Sequence, residues 1–130
     1  MSATSIFAAL VVSHLVGDFI VQTDGQAKLK RGGLTSRGPH ATALFSHLGS
    51  YGLSFVPALL WLASWLDPLA LVGIAAGVLI PHLVQDDGGL LGWWMRAVKG
   101  ASEDDHDLWV FVDQSFHILA LYALALVVAG

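Results

Sequence analysis

The sequence predicts an all-α protein, a four-helix transmembrane bundle, and three observations carry that expectation. Its 130 residues are 55% hydrophobic and only 12% charged, with a mean hydropathy of +0.68. Soluble domains carry roughly 25% charged residues, so this chain has too little polar surface to cover itself in water. Four runs approach the roughly 20 apolar residues needed to cross the hydrocarbon. All six basic residues, Lys28, Lys30, Arg31, Arg37, Arg96 and Lys99, fall in the first and third links between those runs. One integral membrane domain over residues 1–130 is therefore expected, and disorder is not.

Taken in order, the first span covers about 5–22 and carries Asp18 inside its apolar run. It lacks the basic flank of a signal peptide and is read as retained. A polar link, Asp24 to Pro39, is too rich in Gly and Lys to stay in lipid. The second span covers about 40–65, and Trp65-Leu66-Asp67-Pro68 forms a tight turn with Pro68 at a permitted first helical position. The third span covers about 68–90 and the fourth about 108–128. Between them, Trp93 and Trp94 with Leu90, Leu91 and Met95 read as an interfacial anchor. The acidic run Glu103–Asp107 reads as a solvated loop in which Asp107 caps the next helix. Gly17, Gly49, Gly52, Gly73 and Gly77 are placed to let helices approach closely, and Pro57 and Pro81 to bend their spans.

Links one and three lie on the same side of a four-span bundle. The positive-inside rule puts them in the cytoplasm and both termini outside. A net charge of −4 argues against nucleic acid. With no cysteine, thiolate sites and disulfides are impossible, and any metal needs His, Asp or Glu.

Polar residues stand where they are expensive. A charged side chain deep in a span costs about 2.5–3.5 kcal/mol on insertion scales. Span one has His14 and Asp18, an i,i+4 pair; span two has His40 and His47, seven apart. Span three has His82 and Asp86, i,i+4 just after Pro81, and span four has Asp113 and His117 in reverse order. Each pair lies on one helical face. At 1.5 Å per residue, His14, His47 and His117 each fall roughly 12 Å from the cytoplasmic end of their spans. Asp18 and Asp113 lie about a turn shallower, with His40, His82 and Asp86 nearer the mouth. Antiparallel packing brings all four pairs into the cytoplasmic half of the bundle.

Singly, such residues serve as interhelical hydrogen-bond partners. Together, three carboxylates facing one pocket need protons, protonated histidines or a cation, and a divalent metal satisfies charge and lone pairs at once. The expected ligands are His14, Asp18, His40, His47, His82, Asp86, Asp113 and His117. This imidazole–carboxylate set suits zinc first, with iron or manganese next. It exceeds the four ligands of one zinc, so either two ions bind or some residues support the ligands from behind. A metal-free polar core or proton site is the other reading.

The string His14-Leu15-Val16-Gly17-Asp18-Phe19-Ile20-Val21-Gln22 resembles the opening His-x-x-Gly-Asp-Phe-x-x-Gln signature of a family of small bacterial inner-membrane proteins of unknown function. His40 with His47, His82 with Asp86, and Asp113-Gln114-x-x-His117 fit its later elements, so the resemblance covers nearly the whole chain. It implies a multi-pass four-helix protein of the bacterial inner membrane and supplies no reaction. There is a fainter similarity to membrane-embedded metal-dependent hydrolases, whose own sequence signature has no close copy here.

Three functional classes follow. In the first, a metal held by His14, His47, His117 and one or two aspartates activates water. Asp86 or His82 is then the general base, and the substrate is lipid-like or amphipathic. Gln22, Gln85 and Gln114 lie near the same level. The second class is non-catalytic metal binding, or metal or proton transport; here the apolar outer halves of the spans leave a polar pocket with a dry floor. The third is a haem protein with an axial pair such as His47 and His117. Membrane lipid is the expected partner, and a homo-oligomer is compatible with the sequence.

Overall fold

The computed structural model describes residues 1–130, and every regular element in it is helical. Helix α1 (Ala3–Leu15) is capped by Ser2, whose side chain accepts from Ser5 N at 3.2 Å. It runs on as a π-helical turn, Val16–Val21, closed by Gln22 N donating to Gly17 O at 3.0 Å. Short helix α2 (Asp24–Leu29) starts at a reciprocal capping box between Thr23 and Gln26. Helix α3 (Pro39–Ser54) breaks at Phe55 and continues as α4 (Val56–Leu62) at 41°, with Pro57 in the first turn of the second piece. Helix α5 (Pro68–Asp87) begins under the Asp67 cap and ends where Gly88 turns left-handed at φ 80°. Helices α6 (Gly89–Ala97) and α7 (His106–Ala129) complete the chain.

Three segments, Ala3–Val21, Pro68–Asp87 and His106–Ala129, are long and apolar enough to cross a membrane, and α3 with α4 makes a fourth if the bent pair is one span. The expectation of four helices needs correcting to seven. The second run is split in two, and the first and third links each form a helix of their own. The third run stops at Asp87 because only the left-handed Gly88 follows. In the acidic run the cap is Asp105, accepting from Leu108 N at 3.1 Å, with Asp107 already inside α7.

Nine buried residues form the main apolar core: Ile6, Leu10, Tyr51 and Phe55 with Leu62, Ile74, Val78, Leu121 and Ala125. They fill the end of the bundle away from the first and third links. Leu91, Met95 and Trp109 form a smaller cluster at the other end, where α6 packs on α7. The apolar residues of α6 are thus divided, Leu91 and Met95 facing inward while Leu90 and Trp93 stay exposed. Outside, Leu69, Val127, Ile20, Phe111 and Leu53 are all more than 70% exposed, an apolar exterior of the kind that suits lipid better than water.

Gly17 and Gly77 are needed for close approach. A methyl group on Gly17 would lie 2.5 Å from Tyr51 Cδ2, and one on Gly77 2.8 Å from Leu124 Cδ1. Gly52 meets Leu79 at 3.3 Å, whereas Gly49 and Gly73 face open space and serve no such contact.

Candidate metal centre

Between the two apolar clusters, His14, Asp18, His47, His82, Asp86 and His117 are all buried. Two come from α1 and its π-turn, one from α3, two from α5 and one from α7. The first, third and fourth spans bring their i,i+4 pairs inward because their remaining faces are apolar, and α3 brings His47.

The tightest grouping joins α3 and α5. His47 Nε2 and His82 Nε2 each lie 3.0 Å from Asp86 Oδ2 and 3.1 Å from one another. Asp18 Oδ1 stands 3.3 Å from His47 Nε2 and 3.8 Å from His82 Nε2. Two neutral rings pointing N–H groups at one oxygen leave the nitrogen–nitrogen edge without an acceptor, whereas one cation serves all three lone pairs. Ligand bonds of about 2.0–2.2 Å in a tetrahedral site separate neighbouring ligand atoms by roughly 3.3–3.6 Å, a few tenths of an ångström wider than the sides of this triangle. The donor set therefore fits a divalent ion once the three side chains part by those few tenths.

Two further groups adjoin this one. His14, Asp18 and His82 bring ligating atoms within 4.8 Å of each other, as do Asp86, Asp113 and His117. His117 Nδ1 donates to Asp113 O at 2.8 Å, which in a neutral ring leaves the Nε2 lone pair facing Asp86 Oδ1 at 3.5 Å. Asp18 Oδ1, both Asp86 oxygens and His117 Nε2 lack a well-directed hydrogen bond. Lys30 Nζ comes within 2.8 Å of Asp86 Oδ1 as an ion pair. Buried acceptors without donors are costly, and a cation removes that cost.

The supporting residues are well bonded. His14 Nε2 donates to Gln114 Oε1 at 2.9 Å, so a neutral ring accepts from the Tyr51 hydroxyl at Nδ1, 3.0 Å away. Gln114 Nε2 donates onward to Asp18 Oδ2 at 3.2 Å and Asp113 Oδ2 at 3.3 Å. The Tyr51 ring stacks on His82 with centroids 3.4 Å apart and 7° between planes. Neither His47 Nδ1 nor His82 Nδ1 has a hydrogen-bond partner, so this stack holds the His82 ring in place.

Residues 6–130 match a family described as protein of unknown function (DUF3307). The chain belongs to the DUF3307 family. Comparisons with characterised proteins and with solved structures return no match.

In this DUF3307 protein, seven of the eight expected ligands converge and one does not. His40 is exposed at the start of α3, its Nδ1 2.7 Å from Leu29 O and 3.2 Å from Arg31 O. It shares a helical face with His47 but stands two turns, about 10.5 Å, along the axis. Asp86 is not near an open mouth: its carboxylate is fully buried at the hub of the cluster, and Lys30 closes over it. Gln114 joins the network as expected. Gln22, with its amide nitrogen turned to Asp18 O at 3.2 Å, accepts from Lys30 Nζ at 2.9 Å, while Gln85 only reaches Phe116 O at 3.4 Å.

Tyr51 and Lys30 are participants that the spacing arguments passed over. Tyr51 was signalled by its place one turn beyond His47 on the same face. Lys30 carries no such signal, because it reaches the centre from the polar link. Beside the centre a cavity of about 170 Å³ opens among Asp18, Gln22, Lys30, Arg31, Asp113 and Gln114.

Proposed function

We propose that this chain is an integral protein of the bacterial inner membrane, a four-helix bundle in which α1, α3–α4, α5 and α7 cross the bilayer. Its His/Asp centre, in the cytoplasmic half, holds a divalent metal, zinc first and iron or manganese next, and hydrolyses a lipid-like or amphipathic substrate. The observation that carries this reading is the triangle of His47 Nε2, His82 Nε2 and Asp86 Oδ2, with sides of 3.0–3.1 Å, inside an otherwise apolar bundle. The positive-inside rule supports the orientation, since the links that close over the centre carry every basic residue.

The ligands on this reading are His47, His82 and Asp86, with Asp18 beside them. That exchanges the roles expected from sequence: Asp86 and His82 hold the ion, and His14 becomes a positioning residue whose two ring nitrogens are engaged by Tyr51 and Gln114. A bound divalent ion supplies Lewis acidity and a water of lowered pKa. Asp113, part-exposed beside the cavity, accepts the proton of the attacking water and returns it to the leaving oxygen as the scissile bond breaks. His117, between Asp86 and Asp113, lies where a second ion would find ligands.

Transport is the weaker reading because Ile6, Leu10, Phe55, Ile74 and Leu121 close the bundle beyond the centre. For haem, Asp86 stands 3.0 Å from His47 and 3.5 Å from His117, so carboxylate fills the place a porphyrin face needs. The test is elemental mass spectrometry on tag-free protein purified in mild detergent, followed by a screen of amphiphilic esters. One or two equivalents of metal are expected. No metal, before or after adding it back, overturns the reading in favour of a protonated polar core. Metal without hydrolysis of any amphiphile keeps the binding and removes the hydrolase.

A further inference from the structure

The loop that delivers Lys30 is fixed more firmly than a covering link requires. His40 Nδ1 is shared between Leu29 O and Arg31 O at 2.7 and 3.2 Å, one on each side of Lys30. Gly33 N donates back to Lys30 O at 3.2 Å. The end of α5 holds the next residues, Gly32 N donating to Asp87 O and Leu34 N to Asp87 Oδ1, both at 2.8 Å. Gly32, at φ 73°, provides the left-handed turn that brings the chain back. The result is two adjacent cations, Lys30 and Arg31, on the rim of the cavity whose floor holds Asp18 and Asp113.

Of the basic residues, Lys30 is paired with Asp86, while Arg37 and Lys99 at the surface make no ion pair. Lys28 is paired with Asp24, and Arg96 with Glu103. Arg31 instead lays its guanidinium 3.5 Å above the Trp109 ring and faces no carboxylate within ion-pair distance. Once a divalent ion sits at His47, His82 and Asp86, that ion and Lys30 balance the carboxylates of Asp18, Asp86 and Asp113, and Arg31 is left as surplus positive charge at a mouth of low dielectric. Guanidinium and ammonium groups beside a metal form the donor set that anionic phosphate oxygens take, because phosphate has enough oxygens to reach all of them together. On the lipid side the cavity is walled by Phe19 and Val110, with Ile20 exposed just beyond.

We infer that this mouth binds a phosphate ester, with Lys30 and Arg31 as its anion-binding residues and the Phe19–Val110 wall as the side along which an attached apolar chain passes into the bilayer. The inference rests on the metal reading of the centre and adds the substrate class. His40 is then a positioning residue that holds the Lys30–Arg31 backbone.

The test is calorimetric titration of zinc-loaded, tag-free protein in neutral detergent, with zinc counted in the same sample. The probes are inorganic phosphate, dioctanoyl phosphatidic acid and dioctanoylglycerol. Phosphatidic acid is expected to bind and the neutral glyceride not to, with Arg31→Gln weakening binding by about tenfold, the scale of one charge-assisted bidentate contact, at unchanged zinc content. Phosphatidic acid binding above inorganic phosphate assigns a lipid headgroup; equal binding assigns a soluble phosphate ester. In wild-type protein, phosphatidic acid should also shield Arg31 from phenylglyoxal, read by mass spectrometry, which keeps the test valid should Arg31→Gln fail to fold. Zinc-loaded protein that ignores both phosphate probes, or leaves Arg31 equally reactive, overturns the phosphate assignment alone. Protein that holds no zinc fails the metal reading instead.

Discussion

His47 and His82 bring their Nε2 atoms to 3.1 Å across the α3–α5 contact, with one oxygen of Asp86 3.0 Å from both. Removing either imidazole takes away a third of that triangle and leaves Asp86 short of a partner. His47→Ala and His82→Ala should each abolish stoichiometric metal, whereas His40→Ala, whose ring bonds only to the carbonyls of Leu29 and Arg31, should keep full occupancy. Elemental analysis of the three purified variants checks this. Full metal in His82→Ala would remove the α3–α5 triangle as the binding site.

Supporting residues should act by degree. Tyr51→Phe keeps the ring that stacks on His82 but removes the hydroxyl 3.0 Å from His14. Gln114→Leu breaks three bonds together, to His14, Asp18 and Asp113. Loss of an outer partner typically costs 10–100-fold in metal affinity. We expect about tenfold for Tyr51→Phe and nearer 100-fold for Gln114→Leu. Competition against a chromophoric zinc chelator measures both, and equal, undiminished affinities would show that the His14 network does not support the ligands.

The i,i+4 spacing of His14/Asp18, His82/Asp86 and Asp113/His117 made most of this centre legible, because residues a turn apart must share a helical face. The same rule misplaced His40, since a shared face says nothing of two turns of axial distance. The depth estimate put Asp86 at the mouth because it treated the links as open, and Lys30 folds over that carboxylate instead. The π-turn at Val16–Val21 had no visible cue: Gly17 signals close packing, but the ring it meets, Tyr51, lies 34 residues away in sequence and is known only from the fold. Helices α2 and α6 were obscured by the polar and Gly-rich composition of their links, although the Thr23/Gln26 capping box was there to be read.

Gly17 gives a packing prediction. A methyl group there would meet Tyr51 Cδ2 at 2.5 Å and Ser54 Oγ at 2.9 Å, and Tyr51 cannot retreat without leaving His82. Gly17→Ala should destabilise by about 1–3 kcal/mol, the usual cost of overpacking, and weaken metal binding as well. Gly49→Ala, facing open space, should do neither. Thermal unfolding in detergent with metal counting separates the two, and a neutral Gly17→Ala would mean that α1 and α3 are free to separate.

Metal itself should raise stability, because Asp18 Oδ1 and both Asp86 oxygens are buried without well-directed donors. A ligand that binds only the folded state stabilises by about 2.7 kcal/mol at a hundredfold excess over its dissociation constant. Treatment with a chelator should therefore lower the melting temperature of wild-type protein, and adding zinc should restore it. His82→Ala should melt at the same temperature under both conditions. A wild-type melt indifferent to chelator would point to a centre held by protons alone.

Lys30 offers the sharpest separation between metal-free and metal-loaded protein. Its ammonium is largely buried, 2.8 Å from Asp86 Oδ1, and it is the only lysine or arginine that reaches the carboxylates of the centre. Breaking a buried pair by deleting one partner costs about 3–5 kcal/mol, because the other charge is left behind. Lys30 retains some exposure, so Lys30→Met should cost about 3 kcal/mol, the low end of that range, in metal-free protein. With zinc bound, the ion supplies the charge that Asp86 has lost, and the variant should recover most of the difference. Unfolding of wild type and Lys30→Met, each with chelator and with zinc, forms a double cycle whose coupling isolates the effect. A penalty equal in both conditions would mean that Lys30 contributes packing alone and that no ion shares Asp86 with it.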